Sequence, residues 1–217
     1  MANWKSDGVA SPARLVDADG GNAGAADRVA PGDAYRRARQ VARSAVSDGL
    51  LELADARLAV EGPAALSMRR LANAAGCSTM VFYSAFGTKA GLLRALADCE
   101  AERWIDAAAT LSDPDPVAWL EAVAAALRSS SVARPHHRDL LFDADVGGEA
   151  VARLRAALVE AIDRTAPGAA ADGVAEALWS GWVGALGGDH DERFDAVQRG
   201  LARLWAGYVA STADRSS

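Results

Sequence analysis

The 217-residue sequence predicts an all-α fold, and three observations lead there. Alanine dominates the composition, runs of β-branched residues are short, and apolar residues recur three and four positions apart rather than in alternation. With 51% hydrophobic residues the chain buries a substantial core, enough for one or two domains. Pro and Gly pairs cut this pattern into segments of helical length.

Residues 1–34 hold mostly Gly, Ala and Asp, including Asp19-Gly20-Gly21-Asn22-Ala23-Gly24, with too few large apolar groups to build an element. A disordered extension is expected there. The glycines follow no strand and open no helix, which excludes a dinucleotide loop. Tyr35 to Arg43 is basic through Arg36, Arg37, Arg39 and Arg43. This stretch reads either as a flexible arm laying arginines in a minor groove or on phosphates, or as the solvated start of a helix. The first helix then carries Leu50, Leu51, Leu53, Ala54 and Leu58 before Gly62. Ser67 can cap a second helix to about Ala75, with Leu71, Ala72 and Ala75 on one stripe. Gly76 stops it, and Ser78 can cap a third helix from Thr79.

Lys89 to about Thr110 is a long helix with Leu92, Leu93, Leu96, Trp104 and Ile105 as apolar positions. Asp113-Pro114-Asp115-Pro116 punctuates the chain, and Pro116 suits the first turn of a helix carrying Val117, Leu120, Val123 and Leu127. Arg134-Pro135 ends that helix, a short element holds Leu140, Leu141 and Phe142, and Gly147-Gly148 breaks the chain again. A helix from about Glu149 carries Val151, Leu154, Leu158 and Ile162 as far as Pro167-Gly168. Two last helices are expected near 170–187 and 191–210, separated by Gly187-Gly188-Asp189.

The chemistry concentrates between Leu66 and Lys89, where two short helices joined by a tight turn have the spacing of a helix-turn-helix. Val81, Phe82 and Phe86 give the second of these helices its inward face. Ser78, Thr79, Met80, Tyr83 and Ser84 are left outward or at its N-terminus, where amides, hydroxyls and the helix dipole favour a phosphate or a base edge. Ser67 before the first of them and Lys89 after the second complete a candidate DNA-binding set.

From Leu50 to Leu93 the sequence resembles the N-terminal domain of TetR-type transcriptional regulators. Leu50-Leu51-Glu52-Leu53-Ala54 with Leu58 and Gly62 resembles the first helix of that family, and Ser67 to Gly76 the second with its Ala-Gly turn. Phe82-Tyr83-Ser84-Ala85-Phe86-Gly87-Thr88-Lys89-Ala90-Gly91-Leu92-Leu93 resembles the third, with its Tyr, Phe and Lys signature. The resemblance implies that Tyr83 and Lys89 touch phosphates and that Ser78, Thr79, Met80 and Ser84 lie at the groove. It also implies a three-helix DNA-binding domain at residues 35–89, with a helical effector-binding and dimerisation domain at 90–217. The chain departs from the family pattern at several positions. Ala85 stands where many members carry His or another large residue, and Cys77 where a small aliphatic is usual. Asp55 and Arg57 occupy first-helix positions that are commonly apolar or small.

In the resembled family the two C-terminal helices of each subunit form a four-helix dimer interface. Here Ala177, Gly181, Gly184 and Gly188 make a small-residue stripe, and Phe194, Val197, Leu201, Leu204, Trp205 and Tyr208 give the last helix a broad apolar face. The expected dimer interface therefore contains Ala177, Gly181, Gly184, Phe194, Leu201 and Trp205, unless both stripes face their own subunit's core. The resemblance further implies an effector cavity within about 95–187, with Trp104, Trp119, His137 or its neighbour His136, Phe142, Trp179 and Trp182 as candidate walls. Each aromatic also serves as ordinary core. Arg128 or Arg138 would meet an anionic ligand, or a surface carboxylate equally well.

The net charge of −6 is unusual for a DNA binder until it is divided along the chain. Residues 35–94 hold nine Lys and Arg against four Asp and Glu, whereas 95–217 hold eleven against twenty. A positive module on an acidic body orients toward a duplex while the body resists non-specific wrapping. No apolar run reaches membrane-spanning length, the N-terminus has no signal-peptide core, and Cys77 and Cys99 have no metal-ligand spacing. A cytoplasmic protein without cofactor, metal or membrane partner is expected. His136-His137 and Asp189-His190-Asp191 are the clusters with catalytic potential, and neither has partners at a recognised spacing. The expected function is a homodimeric, ligand-responsive regulator, by family default a repressor, released from a pseudo-palindromic operator by a small-molecule effector. The alternatives are a helical protein-binding adaptor or a small enzyme without DNA binding; an adaptor explains the aromatics but not the positive 35–94 module.

Overall fold

The computed structural model of the chain describes residues 31–113, 115–169, 171, 173–186 and 191–215. Among these residues there are nine α-helices and no strand. They are α1 (Pro31–Glu61), α2 (Met68–Ala75), α3 (Thr79–Phe86), α4 (Lys89–Ala109), α5 (Pro116–Ala133), α6 (Pro135–Leu141), α7 (Gly148–Thr165), α8 (Val174–Leu186) and α9 (Asp191–Arg215). The extension expected at 1–34 lies outside the described residues up to position 30, and its last four residues belong to α1. Gly187-Gly188-Asp189 and His190 also lie outside them.

The chain divides into a unit ending at Gln40 and a second from Val41 to Ser217. In the first, the described residues are turns of α1 that are exposed from Ala34 onward, and Arg36 pairs with Asp33. Of the two readings of the basic stretch, the structure has the solvated helix start; Arg36, Arg37, Arg39 and Arg43 all sit on exposed helical turns.

In the second unit local rules set the element ends. Ser67 caps α2 by accepting from the Arg70 amide at 3.2 Å, and Gly76 ends it in the left-handed conformation at φ 66°, which an L side chain disfavours. Thr88 caps α4 through the Gly91 amide at 3.0 Å, Asp115 caps α5 through the Val117 amide at 2.9 Å, and prolines open α5 and α6. The expected hydroxyl cap at Ser78 does not form: its backbone stands at the N-cap of α3, but its side chain accepts no bond there.

One continuous apolar core runs through this unit. Leu50, Ala54 and Leu58 of α1, Leu71 of α2, Phe82 of α3 and Leu92 of α4 close its N-terminal part. α4 continues into the body and packs against α5, α6 and α7, while α8 packs on α7 and α9, and α9 on α5. The last two helices correct the expected dimer face. Trp205 is fully buried and donates its indole N–H to the Pro116 carbonyl at 2.7 Å, and Phe194 is buried beneath Arg128. Both therefore serve their own subunit. Gly181 does too, because a Cβ there would come within 2.8 Å of Leu201, so its bareness lets α8 and α9 approach. Ala177 and Gly184 remain exposed, with open space at Gly184; Gly188 is outside the described residues.

Candidate nucleic-acid interface

α2 and α3 meet across the Gly76 turn, and α3 is held by a single fully buried side chain, Phe82, with Val81 and Phe86 half-buried beside it. Helical spacing then turns Met80, Tyr83 and Ser84 to solvent, with Met80 66% and Tyr83 48% exposed. An apolar Met and an aromatic left this open on an eight-residue helix lie outside the packed core. Ser78 is exposed at the N-terminal end of α3, its hydroxyl uncommitted to a cap, and Thr79 is half-buried. Lys89 stands exposed at the first turn of α4. Ser67 is half-buried, and its oxygen accepts the α2 cap bond from the Arg70 amide, which leaves its O–H as a donor.

Where α1 meets α4 and the α5–α6 junction, a polar cluster interrupts the apolar core. Asp55 of α1 accepts on one carboxylate oxygen from Arg103 at 3.0 Å, Arg134 at 2.7 Å and His137 Nε2 at 3.1 Å. Glu100 of α4, 1% exposed, accepts from Arg103 at 3.1 Å and Arg134 at 2.9 Å on one oxygen and from the Trp104 indole at 2.9 Å on the other. Burial pushes the Asp55 carboxyl up, but the Arg103 and Arg134 guanidiniums outweigh it and hold the group below the usual carboxylate range. Burial and the Arg134 charge push His137 below the usual imidazole value, against the pull of Asp55 and Glu100. A neutral His137 with its Nε2 proton toward Asp55 fits this environment, and its buried Nδ1 has no partner. Composition and spacing did not mark Asp55, Glu100, Arg103 or Arg134. The only sequence signal was that Asp55 departs from the family pattern.

The predicted effector walls are distributed differently from the expectation. His137 is part of the polar cluster; Trp104 is tied to Glu100 and meets Phe142 edge-on at 5.8 Å; Trp182 donates to Gln198 at 2.9 Å; Trp179 is buried in α8. His137, Trp104, Trp179 and Trp182 are buried, and Phe142 is half-buried against the core. Trp119, itself buried in the same core, borders a cavity of about 260 Å³ between α4, α5 and α7, with Ala108, Leu111, Ala161 and Arg164. A second cavity of about 240 Å³ shares Ala108, Ala161 and Arg164 with it. Arg138 is engaged by the neighbouring Asp139 at 2.6 Å. Among the described residues no His, Cys, Asp and Glu side chains gather as metal ligands, and no helix is long and apolar enough to cross a membrane.

A two-helix reader closed by a glycine turn, with an open polar and aromatic second helix, defines a helix-turn-helix DNA-binding protein. Residues 50–96 match the family described as bacterial regulatory proteins, tetR family. Among solved structures it is similar to the crystal structure of SCO4313, a candidate regulatory protein. That likeness has 24% identity and a TM-score of 0.50, and it covers 76% of this chain and 97% of the other; it bears on the fold alone. Among curated proteins nothing matches the chain.

Proposed function

We propose that the chain is a homodimeric repressor that places α3 in the major groove of a pseudo-palindromic operator and is released from it by a small-molecule effector. The exposure of Met80, Tyr83 and Ser84 on α3, beside Ser78 and Lys89, carries this reading. In it, residues 35–89 are the reader and 90–217 the effector-binding and dimerisation body. Tyr83 and Lys89 take phosphates, and Ser78, Thr79, Met80 and Ser84 meet base edges. Arg36, Arg37, Arg39 and Arg43 add basic helical turns that favour the duplex electrostatically. The cavity bordered by Trp119 is the place proposed for the effector.

Pull-down of genomic fragments by the purified full chain tests the reading. Enrichment of a two-fold-related site, with release by a compound whose own affinity falls when operator is present, is the expected result. Enrichment of proteins but no DNA would favour the adaptor.

A further inference from the structure

We infer that Asp55 is a positioning residue for DNA reading: it clasps α1 to α4 and to the α5–α6 junction, and so sets the angle at which α3 is offered to the duplex. This rests on the DNA-binding reading above. One carboxylate oxygen on the first helix of the reader takes donors from Arg103 in α4, Arg134 at the end of α5 and His137 in α6. Arg134 reaches Asp55 with one nitrogen and Glu100 with another, so the body segments are bound to each other at the point where they grip α1. α6 touches the reader a second time, since His136 lies over Gly62 in the turn after α1, where a Cβ would approach the ring to 3.3 Å.

The chemistry of the cluster favours positioning over simple cohesion. With His137 neutral, Asp55 and Glu100 balance Arg103 and Arg134. A balanced ion cluster that is partly buried, as here with Glu100 buried and Arg103 half exposed, adds little stability over apolar residues of the same size, because desolvation and solvent screening offset the Coulomb attraction. Apolar faces slide over one another at small cost. Three donors converging on one oxygen do not, because a shift of about 1 Å stretches every bond beyond its working range.

The test is operator spacing. A library of duplexes selects the best site for the full chain, and affinity is compared with the same half-sites separated by one additional base pair. Asp55→Ala combined with Arg103→Gln keeps the charge balance through Glu100 and Arg134. It should lower the discrimination between the two spacings by about tenfold, with helix content and half-site sequence preference retained. Arg134→Lys keeps the charge but cannot bridge both carboxylates, and should lower discrimination by about threefold. If the double variant does not fold, Arg134→Lys decides. A folded variant set with the wild-type spacing ratio overturns the positioning role alone, as does a wild-type chain that binds its site with no spacing preference. A wild-type chain that enriches no duplex overturns the regulator reading, and the positioning role with it.

Discussion

His137 shows how one buried side chain ties stability to pH. Its value lies below the ordinary 6.5 because burial and Arg134 disfavour the imidazolium, so the unfolded chain takes up that proton at a higher pH than the folded one. The stability it carries is therefore complete above 6.5 and declines as the pH falls toward its lowered folded value. Asp55, also lowered, adds to the decline only below its ordinary 3.8. In thermal melts between about pH 7.5 and about pH 5.5, His137→Gln should flatten this dependence relative to wild type, since the amide can still donate to Asp55 without titrating. A variant that keeps the wild-type slope would show that His137 is not the titrating group. On the reading surface, Lys89→Ala and Tyr83→Phe should weaken binding to all duplexes alike, and Lys89→Ala should lower the salt slope by about one. Met80→Ala and Thr79→Ala should instead reorder preference among sequences, measured as relative affinities over a set of single-base operator variants.

At the level of elements, the approach of α8 to α9 depends on Gly181. A leucine there would drive atoms into Leu201, which already lies 2.8 Å from where the first added carbon would sit. Overpacking of this kind costs about 1–3 kcal/mol. Gly181→Leu should therefore lower the urea midpoint of the subunit itself, and any effect on assembly should follow from that loss. Leu201→Ala in the same chain should restore part of the stability by making room, a compensation that a purely intersubunit contact would not show. α3 behaves differently from its neighbours. Only Phe82 anchors it fully, and its first turn is closed not by the Ser78 hydroxyl but by the Val81 amide donating to the Ser78 carbonyl at 3.1 Å.

For the whole molecule, the dimer proposed here must use surface that the subunit leaves open. Trp205 and Phe194 are spent inside, whereas Ala177 and Gly184 of α8, with Ala196, Gly200, Leu204 and Gly207 of α9, face solvent. Small side chains on two neighbouring helices allow close approach of a second pair, and the half-exposed Leu204 adds apolar area. Bulk at Gly184, where a Cβ meets nothing within 4 Å, should cost the subunit little while blocking that approach. Gly184→Trp is expected to yield a folded monomer in sedimentation and to lose operator affinity with it, because one reader covers few base pairs and two half-sites stand about 34–36 Å apart. A Gly184→Trp chain that remains dimeric would move the interface elsewhere.

What could be read without coordinates was short-range. The cap at Ser67, Pro116 in the first turn of α5, the stop at Gly76, the start of α3 at Thr79 and the inward Phe82 all follow from neighbours within a few residues, and each is where the chain places it. Which face of a helix meets which partner is a different kind of question. Aromatics at helical spacing look alike whether they line a cavity or fill a core, and only packing buried Trp104, Trp182 and Trp205 in the core and set Trp119 at a core position that also borders a cavity. Asp55 is the clearest case. Its partners lie 48, 79 and 82 residues further along, at Arg103, Arg134 and His137, so no local pattern links them; in the sequence it is an acidic residue out of place. The tertiary fold gives that residue its partners, because a carboxylate half-buried in an apolar junction is tolerated only where distant cations and donors converge on it.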